Sequence, residues 1–191
     1  MSEYVLRSAR FQAAEVLSRV IGEGDTVVDA TMGNGHDTCT LARLVGETGH
    51  VYAFDVQQQA VDKTRERLSE EGLEERVSLF CTGHENMADY VPQGVRAIAF
   101  NLGWLPGGDK SVTTRWETTF RALNAALELL LPMGVCTVCA YPGHAEGEVE
   151  RHELAEYLAK LPPQRYNVLR QTFINAGPGA PECFVIQRQG V

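Results

Sequence analysis

A glycine-rich turn flanked by acidic residues is the first feature of this sequence that could bind a ligand. Residues 29–38 read Asp-Ala-Thr-Met-Gly-Asn-Gly-His-Asp-Thr, and Asp55 follows Gly35 at a distance of twenty residues. Glycines spaced Gly-x-Gly let the backbone turn tightly and approach a ligand, and the N–H groups of a following helix bind polar or negative groups. A carboxylate at the position of Asp55 suits two ribose hydroxyls, because it accepts two hydrogen bonds. The pattern predicts a site for a nucleoside cofactor.

The residues of this turn favour S-adenosylmethionine over a dinucleotide. A dinucleotide-binding turn has Gly or Ala where Thr38 stands. Asn34 and Asp37 make the turn polar and acidic, which suits a cationic amino-acid tail better than a pyrophosphate. We expect Asp29 and Asp37 to contact the α-ammonium of the cofactor. The alternatives are a nicotinamide cofactor and a turn that binds no ligand.

Two further loops extend the predicted cofactor site. His84 and Glu85 follow a predicted third strand, where the adenine edge would be recognised, although His84 could also be a surface histidine or a helix cap. Gln57 is a second ribose or adenine contact, or simply the first residue of a helix. The predicted cofactor-binding residues are Asp29, Gly33, Asn34, Gly35, Asp37, Thr38, Asp55, Gln57, His84 and Glu85.

The loops after the predicted fourth and fifth strands contain candidate catalytic residues. Amino-group methyltransferases often have Asn or Asp, two small residues or prolines, and then an aromatic residue, which Asn101-Leu-Gly-Trp104 matches loosely. The Asn101 carboxamide oxygen can accept an amine hydrogen and aim the nitrogen lone pair, while Trp104 offers a stacking face for a base. A glycine-rich surface loop with a packed Trp is the alternative. His144 could shuttle a proton, or it could only order its loop.

Strands and helices alternate along the chain. The predicted strands are 26–30, 50–54, 77–81, 97–100 and 135–141, followed by an antiparallel pair at 166–172 and 182–187. The predicted helices are 10–21, 37–45, 58–71, 114–131 and 148–160. This alternation predicts one α/β domain over residues 1–191 with a doubly wound, Rossmann-like sheet. Together with the predicted S-adenosylmethionine site, such a sheet is of the class I methyltransferase kind. We expect it to be mostly parallel, with an antiparallel strand at the C-terminal end.

Composition narrows the class of protein. The 191 residues are 44% hydrophobic and 22% charged, as in ordinary globular proteins. No apolar stretch approaches the roughly 20 residues of a membrane span, and the first residues show no apolar signal segment, so we expect a cytoplasmic protein without a membrane partner. We interpret the five cysteines as buried, reduced thiols. Cys136 and Cys139 fall three apart on a strand, so they face opposite sides and are not expected to bind a metal.

Five motifs together resemble the small bacterial methyltransferases first described as rRNA methylases. They read Asp-Ala-Thr-Met-Gly-Asn-Gly-His-Asp-Thr at 29–38, Phe-Asp-Val-Gln at 54–57, Gly-His-Glu at 83–85, Asn-Leu-Gly-Trp-Leu-Pro-Gly-Gly-Asp-Lys at 101–110 and Tyr-Pro-Gly-His at 141–144. The resemblance extends over nearly the whole chain. Two departures are Trp104, where a Tyr is expected, and residues 175–181, which follow the family's proline-rich ending only loosely.

The resemblance implies methylation of the 5-aminomethyl group of the wobble uridine of tRNA, often a 2-thiouridine, with binding at the anticodon stem-loop. A net charge of −8 lacks the basic footprint of most nucleic-acid-binding domains, so RNA would need a local basic patch. The cations expected to meet phosphates are Arg7, Arg10, Lys110, Arg115 and Arg121. The alternatives are methylation of rRNA or of a small-molecule amine, and a nucleotide-binding module without catalysis. A homodimer is left open.

Overall fold

Seven strands form a single sheet in the computed structural model, which describes residues 8–190. The strands are β1 (Thr26–Asp29), β2 (His50–Asp55), β3 (Val77–Cys81), β4 (Val95–Asn101), β5 (Leu130–Ala140), β6 (Tyr166–Gln171) and β7 (Glu182–Arg188). The helices are α1 (Ala9–Val20), α2 (His36–Leu44), α3 (Gln58–Glu71), α4 (Trp116–Leu129) and α5 (Ala145–Ala159), with 3-10 turns at Glu74–Arg76 and His84–Asp89. The alternation predicted from the sequence is confirmed.

The strand order is β3-β2-β1-β4-β5-β7-β6. From β1, the next strands in sequence, β2 and β3, lie on one side, and β4 and β5 lie on the other, so the order switches between β1 and β4. The first five strands pair in parallel, whereas β7 is antiparallel to both β5 and β6. This arrangement confirms the predicted mostly parallel sheet with an antiparallel strand near its C-terminal end. Ligands of such sheets bind outside the carboxyl ends of the strands at the point of reversal. Asp29 and Asn101 end the two strands that meet there.

Helices cover both faces of the sheet, so the central strands are apolar on both sides. On one face, Ile98 and Phe100 of β4 belong to the same buried cluster as Leu123 of α4 and Leu154 of α5. On the other face, Val27 and Ala97 pack with residues of α1 and α2. Burial on both faces explains why these strands read as short continuous apolar runs.

The largest differences from the predicted element boundaries are in α4, β5 and α5. Helix α4 begins at Trp116 and ends at Leu129, so Leu130 and Leu131 belong to β5. Pairing decides this boundary, because Leu130 lies in register with Val95 of β4 across a register shift. Helix α5 begins at Ala145, three residues before the predicted start at Glu148, because the side chain of His144 caps it.

The cysteines are free thiols, and four of the five are buried. Cys136 packs in the core cluster beneath α4 and α5, whereas Cys139 packs on the opposite face with Cys183 and residues of α1. The predicted opposite orientation of Cys136 and Cys139 is therefore confirmed. The expectation of a buried thiol is wrong for Cys81, which is exposed at the end of the outer strand β3. Within residues 8–190, no helix combines the length and the hydropathy that crossing a membrane requires.

Candidate active site

A cavity of about 670 Å³ opens at the carboxyl ends of β1, β2, β4 and β5. It brings together most of the residues that the sequence singled out. The predicted residues that line it are Arg10, Gly33, Asn34, Asp37, Asp55, Gln57, His84, Glu85, Asn101, Trp104, Arg115 and His144. Arg7 lies outside the described residues, and Lys110 is exposed outside the cavity lining.

The glycine turn holds the Asp55 carboxylate at the cavity wall. Gly33 and Gly35 have φ values of 52° and 80°, which L side chains rarely adopt. The Gly33 N–H donates to Oδ2 of Asp55 at 3.1 Å, and the Gln57 N–H donates to Oδ1 at 3.0 Å. Burial raises the pKa of Asp55, and these two hydrogen bonds oppose that rise. Each oxygen keeps a further acceptor site, so the carboxylate can bind the two hydroxyls of a ribose.

Asp29 stands behind this turn and does not face the cavity. Its side chain is fully buried, and it accepts hydrogen bonds from the Thr38 hydroxyl at 2.7 Å and the Thr31 N–H at 3.2 Å. Burial raises the pKa of Asp29 to about 7. The expected contact between Asp29 and the cofactor ammonium is therefore wrong, because no part of the carboxyl is open to a ligand. Thr38 and Gly35 are also buried behind the lining, where they support the turn.

Three polar side chains from distant elements meet at the cavity floor. Arg10 of α1 donates from Nε and Nη2 to Oδ1 of Asp37 at 2.8 and 2.5 Å, and Nε lies 3.0 Å from Oδ2. The Asn101 side chain donates from Nδ2 to Oδ2 of Asp37 at 2.9 Å. The Asn101 N–H donates to the Thr31 hydroxyl oxygen at 2.7 Å. Arg10 is thus paired with Asp37 at the cavity, with its side chain 41% exposed, and the expectation that it contacts RNA phosphates stays a prediction.

The loop after β4 covers one side of the cavity. The Trp104 ring lies against the His144 ring, with centroids 4.2 Å apart, and the Lys110 ammonium lies 5.3 Å from the Trp104 centroid. Nδ2 of Asn34 donates to the Pro106 carbonyl at 3.2 Å, which joins the glycine turn to this loop. The loop therefore places an indole ring and a cation at the edge of the cavity.

His144 caps helix α5. Its Nδ1 accepts a hydrogen bond from the Gly147 N–H at 3.1 Å, so the neutral ring carries its proton on Nε2. Nε2 is buried without a hydrogen-bond partner among the described residues. In this arrangement the ring has no free lone pair with which to take a proton. The structure therefore favours the ordering role over the proton shuttle that the sequence also allowed.

His84 and Glu85, in the 3-10 turn between β3 and β4, also line the cavity. His84 is only 6% exposed, and its ring meets Phe100 edge-on at 5.6 Å. Burial lowers the pKa of His84, so the imidazole is neutral and suited to hydrogen bonding with an uncharged base. Neither alternative considered from the sequence holds, since the ring is not at the surface and Gly83 occupies the cap position. Glu85 lies 3.9 Å from Arg121 in a loose ion pair.

Glu150 of α5 anchors the loop after β4, and sequence reasoning missed it. The Glu150 carboxylate is buried and accepts hydrogen bonds from the hydroxyls of Thr114 at 2.6 Å and Thr119 at 2.5 Å. The Thr114 hydroxyl oxygen in turn accepts the Gly103 N–H at 2.7 Å. Burial raises the pKa of Glu150. The sequence contains one signal of its burial: Glu150 precedes Leu154 by four residues, so both lie on the apolar side of α5.

The loop between β6 and β7 also reaches the cavity through Gly179 and Pro181. The sequence left any role of residues 175–181 in doubt, and their proximity to the site follows only from the antiparallel pairing of β5 with β7. That pairing brings the turn before β7 beside the loop after β5, where Gly179 approaches Gly143.

Comparison with known proteins identifies the family of this chain. The family model described as "Putative rRNA methylase" matches residues 51–187. The chain belongs to this family. A chloroplastic tRNA (mnm5s2U34)-methyltransferase of Arabidopsis thaliana is 37% identical over 91% of this chain and 67% of its own length.

Two solved structures give the same result. A protein of Clostridium thermocellum described as a "putative rRNA-methylase" superposes with a TM-score of 0.95 at 41% identity, covering 97% of this chain and all of that one. A protein of Streptococcus mutans described as a "putative methyltransferase", solved in complex with S-adenosylhomocysteine (SAH), reaches 0.88 at 32% identity over 96% of this chain and 99% of that one. The chain is thus an RNA methyltransferase that depends on S-adenosylmethionine (SAM). The predicted family, fold class and cofactor are confirmed.

Proposed function

We propose that the protein transfers a methyl group from SAM to the 5-aminomethyl group of the wobble uridine of tRNA, giving 5-methylaminomethyluridine. The observation that carries this proposal is the orientation of the Asn101 amide. Because Nδ2 donates to Asp37, the other end of the amide, Oδ1, is left as an acceptor. Oδ1 makes no hydrogen bond to the described residues, so it is available to an amine hydrogen at the cavity floor.

An acceptor oxygen at this position suits an amine nucleophile. A free alkyl ammonium has a pKa of roughly 10, and only its neutral form has a lone pair to donate. A hydrogen bond from the amine to Oδ1 of Asn101 favours one orientation of that lone pair, and such positioning lowers the barrier to an in-line transfer. The bound cofactor supplies a sulfonium methyl group. The nitrogen–carbon bond would form as the carbon–sulfur bond breaks, leaving S-adenosylhomocysteine, and the methylated ammonium would release its proton to solvent at the open cavity.

The loop after β4 supports a base as the carrier of that amine. The Trp104 ring, backed by His144, provides a flat apolar face, and aromatic faces of this kind stack with unpaired bases. Lys110 and Arg115 add positive charge near the same opening, although the whole chain has a net charge of −8. An exposed loop nucleotide, such as the wobble base of an anticodon stem-loop, matches this combination. The name of the Arabidopsis relative specifies uridine 34 of tRNA.

Replacing Asn101 by Ala tests the proposal at the transfer step. In single-turnover reactions with saturating SAM and tRNA that contains 5-aminomethyluridine, we expect the rate to fall by roughly 30- to 1,000-fold, on the scale of one lost oxyanion-hole donor. The exposed Asn167 of β6, replaced by Ala, is the matched control and should keep the wild-type rate. A rate for Asn101→Ala within about threefold of wild type would show that Asn101 does not orient the amine.

The acceptor class needs its own comparison, because a net charge of −8 also favours a small uncharged or cationic substrate. We expect turnover with tRNA, and none with rRNA or with free 5-aminomethyluridine. Mass spectrometry of tRNA nucleosides from a deletion strain should show unmethylated 5-aminomethyluridine in place of the methylated product. Binding of SAM without turnover on any of these acceptors would instead indicate a non-catalytic module.

The single-domain organisation, the cytoplasmic location and the homodimer stay predictions.

A further inference from the structure

Two buried thiols face each other across the antiparallel strands β5 and β7. Cys139 and Cys183 are partners in the register of these strands, and both are fully buried. The Cys139 carbonyl accepts a hydrogen bond at 2.8 Å from the Leu102 N–H, just past β4, so towards β7 the cysteines form a non-hydrogen-bonded pair. The Cα atoms of such a pair lie about 4.5 Å apart. Disulfides span Cα separations of about 4.4–6.8 Å, so a bond between the two sulfurs can form with both strands in place.

The two thiols differ in acidity, and they are separate from the other cysteines. Their interaction raises the pKa of Cys139 and lowers that of Cys183, so Cys183 loses its proton more readily. The thiolate is the nucleophilic form of cysteine. Cys136 belongs to the core cluster on the opposite face of the sheet, and Cys81 is exposed at the end of β3. A reaction between Cys139 and Cys183 therefore has no competing thiol beside it.

Helix α1 covers the pair with small side chains. Ala9 and Ala13 form one buried cluster with the two cysteines. Arg10 lies between these alanines on the helix, and its guanidinium pairs with Asp37 at the cavity. A disulfide brings the sulfurs from non-bonded contact, about 3.5–4.0 Å for packed atoms, to a bond of about 2.05 Å. The surface beneath Ala9 and Ala13 then changes shape, and α1 has to repack on it together with Arg10.

We propose that Cys139 and Cys183 form a reversible disulfide, and that this bond repacks α1 and lowers the affinity of the cavity for SAM. With hydrogen peroxide as the oxidant, the Cys183 sulfur takes one peroxide oxygen to give a sulfenic acid, and one water leaves. The Cys139 thiol then attacks that sulfur, so the S–S bond forms and a second water leaves.

Hydrogen peroxide is small enough to reach the pair when the first turn of α1 opens. Helix ends open locally at a lower cost than the core of a domain, and only the side chains of Ala9 and Ala13 in that part of α1 are placed over the cysteines. This inference rests on the SAM dependence of the chain and not on the identity of the methyl acceptor. Failure of the tRNA proposal therefore leaves it intact.

Peroxide treatment of the full, folded chain, followed by alkylation, digestion and tandem mass spectrometry, tests the bond itself. We expect the peptides that contain Cys139 and Cys183 to be recovered crosslinked, and dithiothreitol should restore both thiols. Cys139→Ala should abolish the crosslink, whereas Cys136→Ala, the control on the opposite face of the sheet, should keep it. The proposal is overturned if both cysteines are recovered as thiols while the exposed Cys81 is oxidised, or if they are oxidised without forming the crosslink.

Calorimetric titration with SAH measures the effect of the bond on the cavity. The crosslinked protein should bind SAH at least about threefold more weakly than the reduced protein, and dithiothreitol should restore the affinity. Dithiothreitol does not reverse methionine oxidation, so this recovery separates the disulfide from that damage. Cys81→Ser should show the same fall and recovery as wild type, which excludes the exposed thiol and does not depend on the folding of a core variant. Equal affinities of the crosslinked and reduced proteins would overturn the proposal.

Discussion

Asp29 lies fully buried beneath the glycine turn, and burial raises the pKa of its carboxyl from 3.8 to about 7. Between these two values the folded protein keeps a proton that the unfolded chain has already released. Raising the pH through this window therefore lowers the free energy of unfolding, and the loss is complete above the folded-state pKa. The two pKa values correspond to a loss of about 2–3 kcal/mol between about pH 5 and pH 8.

The substitution Asp29→Asn removes this titration while keeping the shape of the side chain. The Thr31 N–H can still donate a hydrogen bond to the amide oxygen of the new Asn side chain. The Thr38 hydroxyl can rotate and accept a hydrogen bond from the new NH2 group. We expect the free energy of unfolding of the variant to rise by about 2–3 kcal/mol relative to that of wild type as the pH rises across that interval. Urea denaturation of the cofactor-free protein, followed by far-UV circular dichroism at several pH values, measures the difference.

The exposed Asp89, replaced by Asn, controls for the loss of one negative charge. The free energy difference between Asp29→Asn and wild type should depend on pH, whereas that between Asp89→Asn and wild type should not follow the same curve. If the Asp29→Asn difference is constant from about pH 5 to pH 8, burial does not hold the proton on Asp29. The account of Asp29 as a neutral support of the turn would then be wrong.

Three further predictions concern the cofactor, the loop after β4 and the RNA surface. Asp55→Ala should weaken SAM binding by about 1.5–3 kcal/mol, and unchanged affinity in calorimetry of a folded variant would remove Asp55 from the site. Glu150→Ala should lower the free energy of unfolding by about 2–4 kcal/mol, because two threonine hydroxyls lose their acceptor, whereas Ala at the exposed Glu153 should change it little. Replacing Lys110 and Arg115 by Ala should weaken tRNA binding and lower its salt slope by about one for each phosphate that is no longer neutralised. Ala at both Lys63 and Arg19, which are exposed, removes the same number of positive charges and is the control. An unaltered slope in the Lys110 and Arg115 double variant would place the RNA surface elsewhere.

Local patterns in the sequence were enough to predict the fold and the location of the site. The alternation of strands and helices depends on hydrophobic spacing within each segment, and the glycine turn with Asp55 depends on backbone freedom and on one acidic residue at a fixed distance. The carboxyl ends of parallel strands meet at one edge of the sheet. Asn101 and Trp104 follow the predicted fourth strand, so the sequence predicts that they lie near that turn.

Pairing between side chains was decided only by the tertiary structure. Arg10 and Asp37 are 27 residues apart, Asp37 and Asn101 are 64 apart, and Thr114 and Glu150 are 36 apart. The sequence could therefore not predict that Arg10 pairs with Asp37, and it missed Glu150.

Asp29 and His144 show the same limit. The sequence predicts an acid and an imidazole at the site. In the structure Asp29 is buried beneath the glycine turn, and His144 accepts a backbone N–H as the cap of α5. Residue type fixes which hydrogen bonds a side chain can make. Which partner lies within reach depends on how α1, α2 and α5 pack around the sheet. A buried polar group without a partner is costly, so the whole domain must pack in a way that pairs these groups.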